Sequence, residues 1–239
     1  DELGFDSFWL AEHHFHPYGV VPRPAILLSA IAGRTHRIRL GAAVVVLSFD
    51  DPVRVAEDYA LLDRLSNGRV ELGVGSGYLQ HEFDGFGVPF DQKRERFDEG
   101  LDVLRKAWTG EPFSHDGVWR QAHALKLNVT PVQRPHPPLR VAILSNQAAV
   151  HVGRRGLPIM TIPYATTEEF HELSATATAY REGLAESGPE SGEASIAFGL
   201  HTFCAPTREE ALRIAAPAMD RYVRSRLYAK QRPLQPLID

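Results

Sequence analysis

The sequence predicts an α/β protein built as a (β/α)₈ TIM barrel, on three observations. Strand and helix signals alternate along most of the 239 residues, as in parallel sheets joined by crossover helices. Residues 38–47 are valine-rich and carry no charge after Arg39, which suits a parallel strand covered on both faces. The run Gly4-Phe5-Asp6-Ser7-Phe8-Trp9-Leu10-Ala11-Glu12-His13-His14-Phe15 begins apolar and stops in one carboxylate and two imidazoles. In parallel α/β folds, side chains leave the core at the carboxyl ends of strands, and chemistry gathers there.

The elements follow in order. A strand is expected over 5–12, buried on both faces. After Pro22-Arg23-Pro24, the stripe Ile26, Leu27, Ala30, Ile31 predicts a helix. The strand over 38–47 leads to Asp51-Pro52, an N-cap and first-turn proline for a helix through Leu65, closed by Ser66-Asn67-Gly68. A strand over 69–74, a loop, and a helix over 91–108 come next, the helix carrying Phe97, Leu101, Leu104 and Trp108 on one stripe.

Residues 111–138 break the rhythm with five prolines and His115-Asp116-Gly117, predicting an inserted excursion with a short hairpin. Then follow a strand over 139–144, a helix over 146–155 ending at Gly156, and a strand over 158–163. Thr166-Thr167-Glu168-Glu169 and Thr207-Arg208-Glu209-Glu210 read as capping boxes of two further helices, with a strand over 196–205 between them. Six strands, each followed by a helix, fit an incomplete barrel running from its second strand to the helix after its seventh. The opening Asp1-Glu2-Leu3-Gly4 reads as the last turn of a helix, so 1–239 is expected to be a single-domain fragment. A doubly wound open sheet is the architectural alternative, but no strand–glycine–helix turn with a following acidic residue marks a dinucleotide site.

Composition narrows the partners. A net charge of −4, from 26 basic and 30 acidic residues without blocks, argues against nucleic acid and against an anionic membrane surface. No apolar run is long enough to span a bilayer. Cys204 is the one cysteine and cannot form an internal disulfide, which fits a reducing, cytoplasmic setting.

With all strands running the same way, their ends converge on one face. They bring together Glu12-His13-His14, Ala43-Val44-Val45, Gly73-Val74-Gly75-Ser76-Gly77-Tyr78 and Leu144-Ser145-Asn146. His13 and His14 point to opposite sides of an extended chain, so one reaches a ligand while the other supports a loop. Imidazoles there can move protons near neutral pH. The glycines let backbone N–H groups approach an anion, with hydroxyls from Ser76 and Tyr78. Ser145 stands where strand gives way to helix and Asn146 is the expected N-cap; a helix N-terminus favours a phosphate. His14-Phe15-His16 also has metal-ligand spacing, but the later strand ends supply no matching histidine–carboxylate set, so no metal is expected.

Glu12-His13-His14-Phe15, the segments 38–47, Asp51-Pro52-Val53-Arg54-Val55-Ala56-Glu57-Asp58, Leu61-Leu62-Asp63-Arg64-Leu65-Ser66-Asn67-Gly68-Arg69 and Arg155-Gly156-Leu157-Pro158 together resemble the luciferase-like monooxygenases. The likeness covers almost the whole chain, and its specificity lies in the ordered set. It implies a (β/α)₈ barrel with an inserted excursion and a reduced flavin at the barrel mouth, FMN or in some branches F420. It implies that His13 handles a proton beside the flavin. Ala43 and Val44 match the strand end against the ring system, often with a cis peptide. Ser76 and Ser145 match phosphate-binding positions. Gly75 stands where the luciferases have a cysteine under the flavin, Ser76 where they have an arginine, and Leu144 and Ala148 also depart from their pattern.

The implied function is a two-component monooxygenase that takes reduced FMN from a flavin reductase and uses O₂ on a small organic substrate. The family commonly forms homodimers. F420-dependent hydride transfer is the alternative chemistry, and a non-catalytic flavin-binding relative is the non-enzymatic alternative.

Overall fold

Strands β1 (Ser7–Leu10), β2 (Arg39–Val46) and β3 (Val70–Gly75) alternate with helices α1 (Pro24–Ala32) and α2 (Pro52–Leu65). Helix α3 (Gln80–Phe86), a 3₁₀ turn at Phe90–Gln92 and helix α4 (Lys93–Trp108) follow. Strands β4 (Phe113–Asp116) and β5 (Gln121–Leu125) form a separate antiparallel hairpin. The main sheet resumes with β6 (Leu139–Ala142), α5 (Asn146–Arg154), β7 (Ile159–Thr161), α6 (Leu173–Ala185) and β8 (Ile196–Phe198), before α7 (Arg208–Gln231). This computed structural model describes residues 1–16, 19–163, 172–188 and 194–231, with backbone alone for 223–231.

The six-stranded sheet has the order β1-β2-β3-β6-β7-β8, and every pairing is parallel. It is a curled, incomplete barrel, so the expected architecture is present. The chain divides into two compact units, Asp1–Phe198 and Gly199–Asp239. The first holds the sheet and helices α1 to α6. The second holds α7, where the N–H of Glu210 donates to Thr207 Oγ1 at 3.2 Å, half of the expected capping box. The other expected box, at 166–169, lies outside the described residues.

The core lies between the sheet and its helices. Leu40, Leu72, Val74 and Ile159 from the strands meet Leu28, Ala56, Leu62, Leu101, Leu104 and Trp108 from α1, α2 and α4, all fully or almost fully buried. Each such leucine contributes roughly 1.5–3 kcal/mol of transfer free energy. Trp108 also donates Nε1–H to Ala56 O at 2.9 Å, so the largest core side chain leaves no unpaired polar atom. Helices α5 and α6 cross with their backbones almost touching: a Cβ on Gly153 would sit 2.5 Å from Tyr180 O, and one on Gly183 would sit 2.2 Å from Val150 O.

Helix α2 has the expected bounds, with the Asp51 carboxylate accepting from Val53 N and Pro52 in the first turn. Four expectations need correction. The strand over 5–12 shrinks to Ser7–Leu10 and is not buried on both faces: Phe8 is 39% exposed and Phe5 65%, because among the described residues β1 is an edge strand that pairs with β2 alone. The strand over 196–205 ends at Phe198. The expected loop between 74 and 91 contains helix α3. Asn146 is not the N-cap; Ser145 is, its hydroxyl oxygen accepting from Ala148 N at 3.2 Å.

Candidate functional site

The parallel register aligns the strand ends along one edge. Leu10 pairs with Ala42, Val45 with Val74, and Val74 with Val141. The residues just beyond these pairs are therefore neighbours: Glu12, His13 and His14 after β1, Ala43 and Val44 within β2, Gly75 to Tyr78 at β3, and Ser145 after β6.

Beyond β1 the chain carries two histidine–carboxylate pairs. His14 Nε2 lies 3.0 Å from Glu12 Oε1, and the two side chains are 10% and 6% exposed. Burial raises the Glu12 pKa, partly countered by the hydrogen bond from His14 and one from the Val46 backbone. The His14 ring stands edge-on to Phe86 at 4.7 Å and Phe49 at 6.1 Å between centroids. His13 takes a different partner: its Nδ1 lies 3.1 Å from Glu82 Oε1. The same Oε1 accepts from the backbone N–H of His14 at 2.9 Å. Glu82 is 1% exposed. A Cβ on Gly19 would sit 2.6 Å from His13 Cβ, so the bare backbone of Gly19 lies directly against this histidine.

Next along the edge, the Ala43–Val44 peptide is cis, and the β2–β3 register shifts between Ala42 and Val45. Gly75 faces it, where a Cβ would be 2.9 Å from Val44 Cγ2. In the turn after β3, Gly77 has φ +78°, and its Cβ would crowd Phe83 and Val46 at 3.0 Å. The buried Ser48 hydroxyl lies 3.0 Å from Ser76 O and 2.9 Å from Lys93 O, so one donor serves the turn and the start of α4 alternately. Tyr78 is 36% exposed and stands edge-on to His13, with centroids 6.3 Å apart.

Ser145 and Asn146 are exposed at the start of α5. The Ser145 oxygen is engaged in capping, but its hydrogen remains a donor. The Asn146 side-chain oxygen accepts from Thr176 Oγ1 at 2.8 Å and so ties α5 to α6. The free N–H groups of the first turn of α5 then face the same edge as Ser76.

Sequence reasoning brought His13, His14, Ala43, Val44, Gly75–Tyr78 and Ser145 to this edge, and the structure places them there. It missed Glu82. A signal was present: Leu79, Phe83 and Phe86 recur at helical spacing before Gly87, which closes α3 in the left-handed conformation. Among the described residues, no helix is long and apolar enough to cross a membrane. Cys204 is free and exposed.

The profile of the luciferase-like monooxygenases matches residues 1–237. The 4-hydroxyprotoasukamycin monooxygenase of Streptomyces nodosus subsp. asukaensis is 30% identical over 216 residues, which is 89% of this chain and 58% of that protein. The crystal structure of monooxygenase RslO1 from Streptomyces bottropensis superposes with a TM-score of 0.86 at 31% identity, covering 96% of this chain and 70% of that one. The oxygenating constituent of 3,6-diketocamphane monooxygenase from Pseudomonas putida, a type II Baeyer–Villiger enzyme in complex with FMN, shares the fold. Its TM-score is 0.82 at 24% identity, over 93% of this chain and 65% of that one. The chain spans 44% to 64% of the length of the first curated relatives it matches. The chain belongs to the luciferase-like monooxygenase family.

Proposed function

We propose that this chain is the flavin-binding part of a two-component, flavin-dependent monooxygenase that receives reduced FMN from a partner reductase and uses O₂ on a small organic substrate. The observation that carries this reading is the composition of one edge: Val44 packed on Gly75, flanked by the Ser145-capped helix on one side and His13 on the other. The relatives support it, since two are named monooxygenases and a third is described as an oxygenating constituent in complex with FMN. A cytoplasmic setting and a homodimer belong to the same proposal.

The residues present fit FMN. Val44 packs on the bare backbone of Gly75, since a Cβ there would sit 2.9 Å from Val44 Cγ2, so no further side chain stands at the strand end that would bed a planar ring. The hydroxyls of Ser145 and Ser76 and the first-turn N–H groups of α5 are donors suited to a phosphate at a helix N-terminus. Reduced FMN would supply the electrons that activate O₂.

The chain itself binds, orients and manages protons. Ala43, Val44 and Gly75 would hold the ring, while Ser76 and Ser145 would hold the phosphate end. Phe49, Phe83 and Phe86 pack together beneath the histidine pair, and this apolar wall helps exclude water. His13 holds or releases a proton at its imidazole, and His14, held by buried Glu12, supports the loop between β1 and α1.

Anaerobic titration of the full-length protein with reduced FMN, riboflavin and F420, followed by admission of O₂, tests the proposal. Reduced FMN is expected to bind well and riboflavin markedly worse, with oxygen uptake on adding a reductase and substrate. Tight F420 binding with substrate turnover and no oxygen uptake would overturn it in favour of hydride transfer. Binding without any turnover would identify a flavin carrier.

A further inference from the structure

We infer that Glu82 is a positioning residue that fixes the tautomer of His13, placing the hydrogen on Nδ1 and leaving Nε2 as the basic nitrogen. This deepens the proposed function and rests on it only in the catalytic use of His13; the tautomer itself follows from geometry.

Glu82 Oε1 is 2.9 Å from the backbone nitrogen of His14 and 3.1 Å from His13 Nδ1. A backbone N–H can only donate, so Oε1 is an acceptor in the first contact. An oxygen already accepting there becomes a hydrogen-bond partner of Nδ1 when that nitrogen carries hydrogen. The reverse arrangement would set a nitrogen lone pair against a buried carboxylate oxygen. Solvent cannot relieve that clash, because the His13 side chain is 12% exposed and that of Glu82 2%. Of the two neutral forms of the ring, the Nδ1–H form is therefore selected.

The carboxylate is itself held in place. Glu82 sits in the first turn of α3, one residue before Phe83, which is fully buried and packs edge-on against Phe49 and Phe90 at 4.7 and 4.9 Å. Phe83 also closes over Gly77. From the position before Glu82, His81 Nε2 lies 3.1 Å from His14 O, so the helix grips both backbone groups of His14. Helix α3 follows directly from the glycine-rich turn of β3. The turn expected to meet the phosphate is thus continuous with the helix that orients the imidazole, and the pairing spans 69 residues of sequence.

The test reads the ring directly. In the flavin-free full-length protein, ¹⁵N NMR of the His13 side chain, above the pH at which the ring is protonated, is expected to show the Nδ1–H tautomer alone. Glu82→Ala should yield a mixture dominated by Nε2–H. Turnover should fall about 10²-fold or more, while KM for flavin changes less than threefold. Glu82→Gln keeps an oxygen able to accept from both donors and should retain the Nδ1–H form and recover most of the turnover. Because Glu82→Ala leaves a buried N–H without an acceptor, its folding is checked by far-UV circular dichroism; if it unfolds, the wild-type and Gln spectra decide. A wild-type Nε2–H tautomer, or one unchanged by Glu82→Ala, overturns the inference and leaves the proposed function standing. A shifted tautomer with unchanged turnover supports the positioning geometry and overturns His13 as the proton-handling group.

Discussion

The two ends of the sheet satisfy their buried polar groups in different ways. At the amino end of β3, Arg69 donates from Nε to Ser66 O, from Nη1 to Ile38 O and Thr35 Oγ1, and from Nη2 to Ala32 O and Thr35 O. The neighbouring Asp63, fully buried, accepts from Val132 N, Gln133 N, Gln133 Nε2 and Val70 N. These bonds join a side chain to backbone, to an amide or to the Thr35 hydroxyl, and none needs a proton to move. At the carboxyl end, the buried carboxylates Glu12 and Glu82 instead face the imidazoles of His14 and His13, a side-chain type suited to general acid–base work. Tyr59, buried beneath the same end, has a hydroxyl without a hydrogen-bond partner among the described residues and a pKa pushed well up by burial. One end is a closed polar lock that fixes the fold; the other keeps titratable groups in reserve, as barrels do at the face where their chemistry lies.

Substitutions at the two ends should therefore fail differently. His13→Ala is expected to lower turnover by about 10²–10⁴ with flavin affinity nearly intact, measured as kcat and flavin Kd side by side. Equal loss in both would make the carboxyl end structural, like its opposite. Asp63→Ala should leave three donors of Val132 and Gln133 without their acceptor and cost about 3 kcal/mol or more, a fall of roughly 6–12 °C in Tm. Its turnover per folded molecule should be nearly unchanged; a large drop there would break the division between lock and site.

Ser145→Ala removes the N-cap of α5 and one donor to the proposed phosphate. It should cost about 1 kcal/mol of stability and about 1–2 kcal/mol of FMN binding. Riboflavin binding should not change, so a calorimetric comparison of the two flavins separates phosphate contact from helix capping.

The smallest expected effect concerns pH. Burial raises the Glu12 pKa above its ordinary 4.5 in the folded chain, so the folded state holds this proton more tightly than the unfolded state. Stability from this group is present below pH 4.5 and is lost as pH rises through the raised folded value, because the unfolded state binds fewer protons there. Glu12→Gln should flatten that segment of the stability curve, followed by chemical denaturation at a series of pH values. An unchanged slope would assign the pH dependence to other groups.

How legible each part was follows from how local its cause is. Helix α2 could be read to the residue from Asp51-Pro52 and Ser66-Asn67-Gly68 because a cap, a first-turn proline and a left-handed stop act over three or four residues. The hairpin at 113–125 announced itself through His115-Asp116-Gly117 within a proline-rich excursion over 111–138, and β2 through its valines. The N-cap at α5 lies one residue earlier than expected, since Ser145 and Asn146 are both good caps and the cap is the last residue to keep extended dihedrals, which is Ser145.

By itself, then, the sequence determined the alternation of elements, the parallel sheet, the residues gathered at its carboxyl edge and the family. Those follow from periodicity, capping and motif order, all written within short windows of chain. Only the tertiary structure decided that Glu82 meets His13, that Asp63 pairs with a glutamine 70 residues away, and that β1 is a half-exposed edge. Burial and hydrogen-bond partners are properties of what a segment packs against, and packing across such distances leaves no local trace in the residues themselves.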